Sequence, residues 1–543
     1  MSGSRRLAAL AYAVLFVVVL PVVLVLWAEA LERKLSLPPL GDRTTGWLLA
    51  TLGAALLGSG WWALMRYGQG LPMNIAPPRR LVTTGVYALL PHPIYTGFTL
   101  LLAGFFMVRD LRAGLWLVTP CLALGCTSLV LGYEQHAQRR RFPDARWTPW
   151  LGLPADTLEP PRPGDRFAAF LLTWVNPAPL PGAALVLGLL LAPTRSALRR
   201  FVLRGWVLVV LALLGAPGSL AVGLAMLATG FLPLALLSPA ILPSYLVARF
   251  SGLIWQAALA GAERLANSFN SFRIGPARVL SHALWSLSAG LVGSLLASWL
   301  GAAWPYQALV LIAGLLGAMV WGQLSRGQSN LSRPFGFFGG LAGGLLGLSL
   351  ACSLGADPWR LAGALAVALP FLQALGRLRC LVQGCCHGRP GPGLVVRHPR
   401  SRVCYLAGLG GQSIYPTQLY SIASNLVLGP LLLRGFLLGW PLSVLTGGYL
   451  ILSGMARFVE ESYRGEPQTL RWAGLALNQW FAVLALGLGI LCSSQASPLA
   501  GPSVDLTAGA LAQAVGLGIM GALALSVDFP DSDRPLSRLA PPD

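Results

Sequence analysis

Between Gly376 and Pro390 the chain reads Gly-Arg-Leu-Arg-Cys-Leu-Val-Gln-Gly-Cys-Cys-His-Gly-Arg-Pro. Arg377, Arg379, Arg389, His387 and the thiols of Cys380, Cys385 and Cys386 therefore crowd one short stretch of an otherwise apolar sequence. Polar groups at that density are costly in or beside lipid, so they mark a site. Downstream, Arg457, Glu461 and Arg464 are spaced four and three apart, one face of a helix, where the carboxylate can pair with both guanidinium groups. Arginines steadied by a carboxylate at membrane depth make an anion site, and guanidinium matches phosphate bidentately. The anion at hand there is a phospholipid headgroup. The plainer alternative is a set of helix-end arginines snorkelling to the interface, with Glu461 as their counter-ion. The thiols, with Cys404, admit zinc ligation, a disulfide, a thiolate activated by Arg377, Arg379 and His387, or plain packing of small residues. Their spacing is not that of a zinc ribbon, and no metal is expected.

A second polar island lies upstream. Tyr87, His92, Pro93, Tyr95 and Gly97 precede an apolar run, and Glu134 and Arg139 follow the next one. His92 sits between Pro91 and Pro93, so its backbone is stiff and its ring direction fixed, which suits a cofactor pocket. Glu134 with Arg139 or Arg140 can bracket a zwitterionic ligand. Interfacial anchoring by tyrosine and arginine is the alternative.

These residues need elements to hold them. Of 543 residues, 55% are hydrophobic and 11% charged, against about 25% charged in soluble domains. Apolar runs near the bilayer-spanning length recur at residues 8–27, 47–65, 94–108, 115–131, 206–246, 280–300, 308–320, 337–351, 361–375, 419–433, 442–455, 475–491 and 507–525. The fold expected is all-α, a polytopic integral membrane protein with about 13 transmembrane helices in two catalytic-type bundles. The net charge of +20 sits largely in arginines of short inter-span loops. That is the positive-inside pattern, and nucleic acid is excluded as a partner. The first apolar run continues into Glu29 and Glu32 without a small-residue cleavage site and reads as a retained helix.

Four regions follow from composition: residues 1–163, closing in a proline-rich linker at 154–165; an additional transmembrane region of unknown role at 164–266, with a proline-broken segment at 167–193; residues 267–493; and a final helix with a polar tail at 494–543. The tail's Pro- and Asp-rich composition predicts disorder.

Two resemblances sharpen these expectations. Gly85, Tyr87, His92, Pro93, Tyr95 and Gly97, with Glu134, resemble the motif of the isoprenylcysteine carboxyl methyltransferase and phospholipid methyltransferase superfamily. The resemblance implies S-adenosylmethionine as cofactor, held by Tyr87, His92, Pro93, Tyr95, Gly97, Glu134 and Arg139. Residues 267–493 resemble prolipoprotein diacylglyceryl transferase. The motifs run in order: Phe272 to Pro276, Gly336 to Gly340, Gly376 to Arg389, Tyr415 to Tyr420, Arg457 with Glu461 and Arg464, and Gly474 with Asn478 and Gln479. This implies transfer of the diacylglyceryl group of phosphatidylglycerol to the thiol of a lipobox cysteine, in the bacterial inner membrane. Arg377 and Arg457 would hold the phosphate, with Glu461 orienting Arg457. Gln383, Gly388, Arg389, Gln418, Tyr420 and Arg464 would bind substrate. The family's histidine is Phe338 here, and the tyrosine four residues before the second arginine is Ser453, so His387 stands as the candidate base. A phospholipid-binding scaffold without turnover is the reading from another class.

Overall fold

The computed structural model describes residues 10–37, 43–70, 77–143, 241–326, 335–465, 471–501, 507–534 and 536–540. The linker expected at 154–165, the broken segment at 167–193 and most of the apolar run at 206–246 lie outside those residues. The chain divides into two units, Met1–Ile254 and Trp255–Asp543. Among the described residues nine helices are long and apolar enough to cross a membrane, and three more are apolar but shorter. The chain is an all-α polytopic membrane protein.

In the first unit the helices are α1 (Leu10–Glu32), α2 (Arg43–Arg66), the single turn α3 (Val86–Leu89), α4 (Pro93–Val108) and α5 (Gly114–Arg141). Apolar side chains gain little by leaving lipid for one another, so membrane helices associate where small residues let backbones approach. Gly46, Gly53 and Gly60 on α2 recur every seven residues, and so do Gly97 and Gly104 on α4. A Cβ at Gly53 would sit 2.3 Å from Leu101 N, and one at Gly97 2.5 Å from Leu57 N. Helix α5 contains two π turns, and the second, Val130–Glu134, ends on the carboxylate that matters below.

The second unit is built around helices α6 (Ile241–Ala266, whose second half belongs here), α7 (Ala283–Trp299), α8 (Trp304–Arg326), α9 (Phe337–Ser353), α10 (Pro358–Gln383), the short α11 (Arg402–Tyr405), α12 (Thr417–Leu437), α13 (Leu442–Tyr463), α14 (Leu477–Ser494) and α15 (Ala508–Ser526). Helix α10 starts with Asp357 capping the Arg360 N–H at 2.8 Å. It runs past the apolar stretch 361–375, so Arg377, Arg379 and Cys380 lie on its last turns rather than in a loop. Helices α13 and α14 touch backbone to backbone, since a Cβ at Gly447 would meet Gly489 O at 2.4 Å.

Short strands complete the unit. β1 (Ser271–Ile274) and β2 (Ala277–Leu280) form an antiparallel hairpin over Gly275 and Pro276, with Gly275 at φ +55° as the two-residue turn requires. Strands β3 (Pro390–Val395) with β4 (Ser413–Ile414), and β5 (Arg471–Trp472) with β6 (Leu475–Ala476), are further antiparallel pairs. β7 (Val527–Asp528) pairs with β2.

That last pairing corrects the disorder expected of the tail. Asp528 and Arg278 are both 0% exposed. Arg278 Nη2 lies 2.8 Å from Asp528 Oδ2 and its Nε 3.0 Å from Oδ1. The same carboxylate accepts the Leu539 N–H at 2.8 Å. Leu539 and Ala540 then pack with Phe269, Leu280 and Val382. A buried charge needs a partner, and the tail supplies it.

Candidate active site

The carboxyl end of α10, the first turns of α12, the end of α13 and the start of α14 converge on one chain of charges. Arg377 Nε donates to Ser421 Oγ at 2.9 Å, and its Nη2 lies 3.4 Å from Glu460 Oε1. The same Glu460 oxygen is 2.7 Å from Arg457 Nη1. Arg457 Nη2 lies 2.9 Å from Glu461 Oε2, which also meets Arg464 Nη1 at 3.3 Å. Asn478 Nδ2 donates to the other Glu461 oxygen at 2.8 Å. Arg457, Glu460 and Glu461 are each 5–6% exposed.

These arginines face a cavity of about 750 Å³. Its polar wall carries Arg377, Arg379, Arg402, Arg457 and Arg464, and its remaining walls are mainly leucine, alanine and glycine from α7 to α10, α13 and α15. Five guanidinium groups stand on this wall, with Glu460 and Glu461 paired among them. An apolar chamber ending in a guanidinium-rich wall suits an amphiphile with an anionic head.

The pairing of Glu461 with Arg457 and Arg464 is the one the spacing indicates. Gln383 and Arg464 line the cavity with Arg377 and Arg457. His387, Gly388, Arg389, Gln418 and Tyr420 are not part of the cavity wall. His387, Gly388 and Arg389 belong to the loop after α10, and Gln418 and Tyr420 to the first turn of α12. The Arg389 N–H donates to Tyr463 O at 2.9 Å and the Gly465 N–H to His387 O at 3.0 Å, stitching the loop to the end of α13. A Cβ at Gly388 would lie 2.1 Å from Tyr415 O. Arg389 stacks over the rings of Tyr415 and Tyr463 at 5.7 Å each. Tyr420 stacks on Trp255. Gln418 Nε2 donates to Cys385 O at 2.9 Å, and His387 is buried with Nδ1 3.2 Å from Gly384 O.

Sequence reasoning missed Glu460, the bridge between the two key arginines. Its position three residues after Arg457 was the available signal. Ser421 and the role of Asn478 had none, because both contacts are tertiary. The two departures at Phe338 and Ser453 prove to be neighbours. Both line a small pocket of about 10 Å³ beside Arg457, where Phe338 stacks on Phe481 at 4.9 Å.

Cys380, Cys385 and Cys386 also line the large cavity. All eight cysteines are thiols rather than disulfides. Hydrogen bonds from the Cys380 and Cys385 thiols, and then the charges of Arg464 and Arg377, hold Cys386 well below the usual thiol range.

In the first unit, Tyr95 donates its hydroxyl to Glu134, and His92 Nδ1 lies 3.7 Å from the other Glu134 oxygen. The His92 and Tyr95 rings stack at 5.9 Å. Burial pushes the His92 imidazole down to about 4. Pro93 opens α4, and Gly97 is used against α2. Tyr87 is buried with Ala63, Leu64 and Val82. Arg139 is exposed on the last turn of α5.

Fold and site define a helical membrane protein with a lipid-sized, arginine-headed chamber. Within that class, residues 249–494 match the family model of prolipoprotein diacylglyceryl transferase. The phosphatidylglycerol–prolipoprotein diacylglyceryl transferase 2 of Clostridium perfringens is 29% identical over 201 residues, covering 34% of this chain and 74% of the relative. The corresponding protein of Leifsonia xyli subsp. xyli is 30% identical over 229 residues, 40% of this chain and 64% of its own length. That of Clostridium tetani is 26% identical over 171 residues, with 30% and 64% covered. The chain thus spans less than two thirds of the second and third. No solved structure matches the chain.

Proposed function

We propose that the second unit moves the diacylglyceryl group of phosphatidylglycerol onto the thiol of a lipobox cysteine in a prolipoprotein, in the bacterial cytoplasmic membrane. The observation that carries the reading is the buried run Arg377–Glu460–Arg457–Glu461–Arg464 at the head of a lipid-sized cavity. Acyl chains occupy the leucine-lined part and the phosphate meets the arginines. The acceptor sulfur, its thiol proton passing to solvent, attacks the glyceryl carbon that bears the phosphate. A C–S bond forms, the C–O bond breaks, and its electron pair leaves on glycerol-1-phosphate. Arg377 and Arg457 stabilise that leaving charge, held in place by Glu460 and Glu461. Loop 384–389 and α12 are the support that keeps these donors fixed.

The first unit we read as an S-adenosylmethionine-dependent methyltransferase domain. The cluster of His92, Tyr95 and Glu134, gathered at the mouth of α4, supports that reading. A neutral imidazole beside a carboxylate suits a sulfonium cofactor.

The test uses the full chain in phosphatidylglycerol nanodiscs with a lipobox-cysteine peptide, with and without S-adenosylmethionine. Glycerol phosphate release and methyl transfer are followed by mass spectrometry. Arg377→Ala is expected to slow glycerol phosphate release by about 10²–10³-fold, and His92→Ala to affect methyl transfer alone. Lipid binding without release of glycerol phosphate would replace the transferase reading with that of a phospholipid-binding scaffold.

A further inference from the structure

The phosphate-handling set leaves three thiols unused. Cys380 sits on the last turn of α10, and Cys385 and Cys386 follow the helix end. Gly384, at φ +75°, turns the chain back over that last turn, and its N–H closes on Cys380 O at 2.9 Å. All three Sγ atoms consequently lie within 4.8 Å of one another.

The loop is built to hold them. Cys386 is one of five non-glycine residues at positive φ among those described, at +58°, a conformation that persists only where the surroundings impose it. Here Thr417 Oγ1 donates to Cys386 O at 2.7 Å, and Gln418 Nε2 to Cys385 O at 2.9 Å. Thr417 and Gln418 are 0% and 2% exposed. A Cβ at Gly384 would strike Ser401 Oγ at 2.1 Å. Every turn of the loop is clamped, and the clamps leave the three thiols on the cavity wall.

We propose that Cys380, Cys385 and Cys386 form a soft-metal centre of the zinc type, open at its fourth position to the cavity, where it holds the acceptor thiol as a thiolate. Zinc–sulfur bonds of about 2.3 Å in a tetrahedron place sulfurs about 3.8 Å apart. Thiols already within 4.8 Å reach that spacing by side-chain rotation. Three protein ligands with one position left open is the arrangement of catalytic rather than structural zinc. A divalent ion with three thiolates carries one net negative charge, and it would share its cavity wall with five guanidinium groups. Oxygen-preferring ions are disfavoured by an all-sulfur set.

The role rests on the transferase reading above. Phe338 and Ser453 supply no base, Glu460 and Glu461 are engaged by arginines, and the acceptor thiol must still lose its proton. A thiol that ligates such an ion is deprotonated by doing so, its proton passing to solvent. The bound sulfur then attacks the glyceryl carbon, the C–O bond breaks toward phosphate at Arg377 and Arg457, and the neutral thioether, a weaker ligand, departs.

The experiment is a Co²⁺ titration of the reduced, chelator-treated full chain in nanodiscs, read by thiolate-to-cobalt charge transfer and tetrahedral d–d bands. One ion per chain is expected. Cys380→Ser, Cys385→Ser and Cys386→Ser should each weaken binding by at least about tenfold, while Cys404→Ser leaves it unchanged. Melting curves of the serine variants separate ligand loss from misfolding. Adding a lipobox-cysteine peptide should shift the d–d bands, and the matching serine peptide should not. Arg377→Ala should slow glycerol phosphate release by about 10²–10³-fold and keep the cobalt spectrum, so loss of the transferase reading and loss of the centre are distinguishable. Absence of a thiolate–cobalt band with all three thiols reduced overturns the proposal. So does a disulfide among them in the protein as isolated, or band positions indifferent to the cysteine peptide.

Discussion

Glu460→Gln is the sharpest probe of the headgroup site. Its carboxylate neutralises two arginines at once, at 2.7 Å from Arg457 and 3.4 Å from Arg377, and the residue is 5% exposed. Glutamine keeps the size and one acceptor oxygen but removes the charge. Breaking a buried pair by deleting one partner costs about 3–5 kcal/mol. Two features soften that figure here. Arg457 keeps Glu461 at 2.9 Å, and the amide oxygen retains a hydrogen bond of about 1 kcal/mol. The expected loss is about 2–3 kcal/mol, a fall in melting temperature of about 4–12 °C. The assay is thermal unfolding in nanodiscs of phosphatidylcholine and, separately, of phosphatidylglycerol. A bound anionic headgroup supplies the missing negative charge, so the deficit should shrink to less than half in phosphatidylglycerol. Equal melting of parent and variant in phosphatidylcholine would refute the claim that Glu460 neutralises the pair. An identical deficit in both lipids would refute the claim that these arginines face a phospholipid headgroup.

Asp528→Asn leaves Arg278 buried without its counter-charge, and should cost about 3–5 kcal/mol. Limited proteolysis should then cut beyond residue 527, where the parent resists. Gly388→Ala drives a Cβ to 2.1 Å from Tyr415 O and should destabilise by about 1–3 kcal/mol. Gly376→Ala, on the helix with nothing within 4 Å of the new Cβ, should instead hold or raise the melting temperature. His92 titrates near 4 in the folded chain against 6.5 ordinarily. The unfolded chain therefore binds the extra proton first, and stability is lost as pH falls from 6.5 toward 4. In His92→Gln that acid limb should flatten, and an unchanged slope between pH 7 and pH 5 would count against a neutral, partly buried imidazole.

The class of protein was legible without coordinates. Hydropathy needs only local composition, so the apolar runs within the described residues fall on helices. The pairing of Arg457, Glu461 and Arg464 was equally legible, because residues three and four apart on a helix are neighbours whatever surrounds it. The same rule applied one residue earlier would have found Glu460. The tail was misjudged for an opposite reason. Its composition lacks a core of its own, and its order comes from the charge of Arg278, some 250 positions away in the chain.

What the sequence by itself determined, then, was a membrane-spanning helical chain carrying arginine, carboxylate and thiol groups in two islands. Those properties follow from solvation and helical period, which act over a few residues. Tertiary structure alone decided which of those groups share a cavity. It set Arg377 against Arg457 through one carboxylate, kept His387, Gly388 and Arg389 off the wall, and folded three thiols into one cluster. Such distances depend on how glycine-faced helices dock and on one left-handed turn at Gly384, and neither packing nor the direction of a turned chain is encoded in spacing along it.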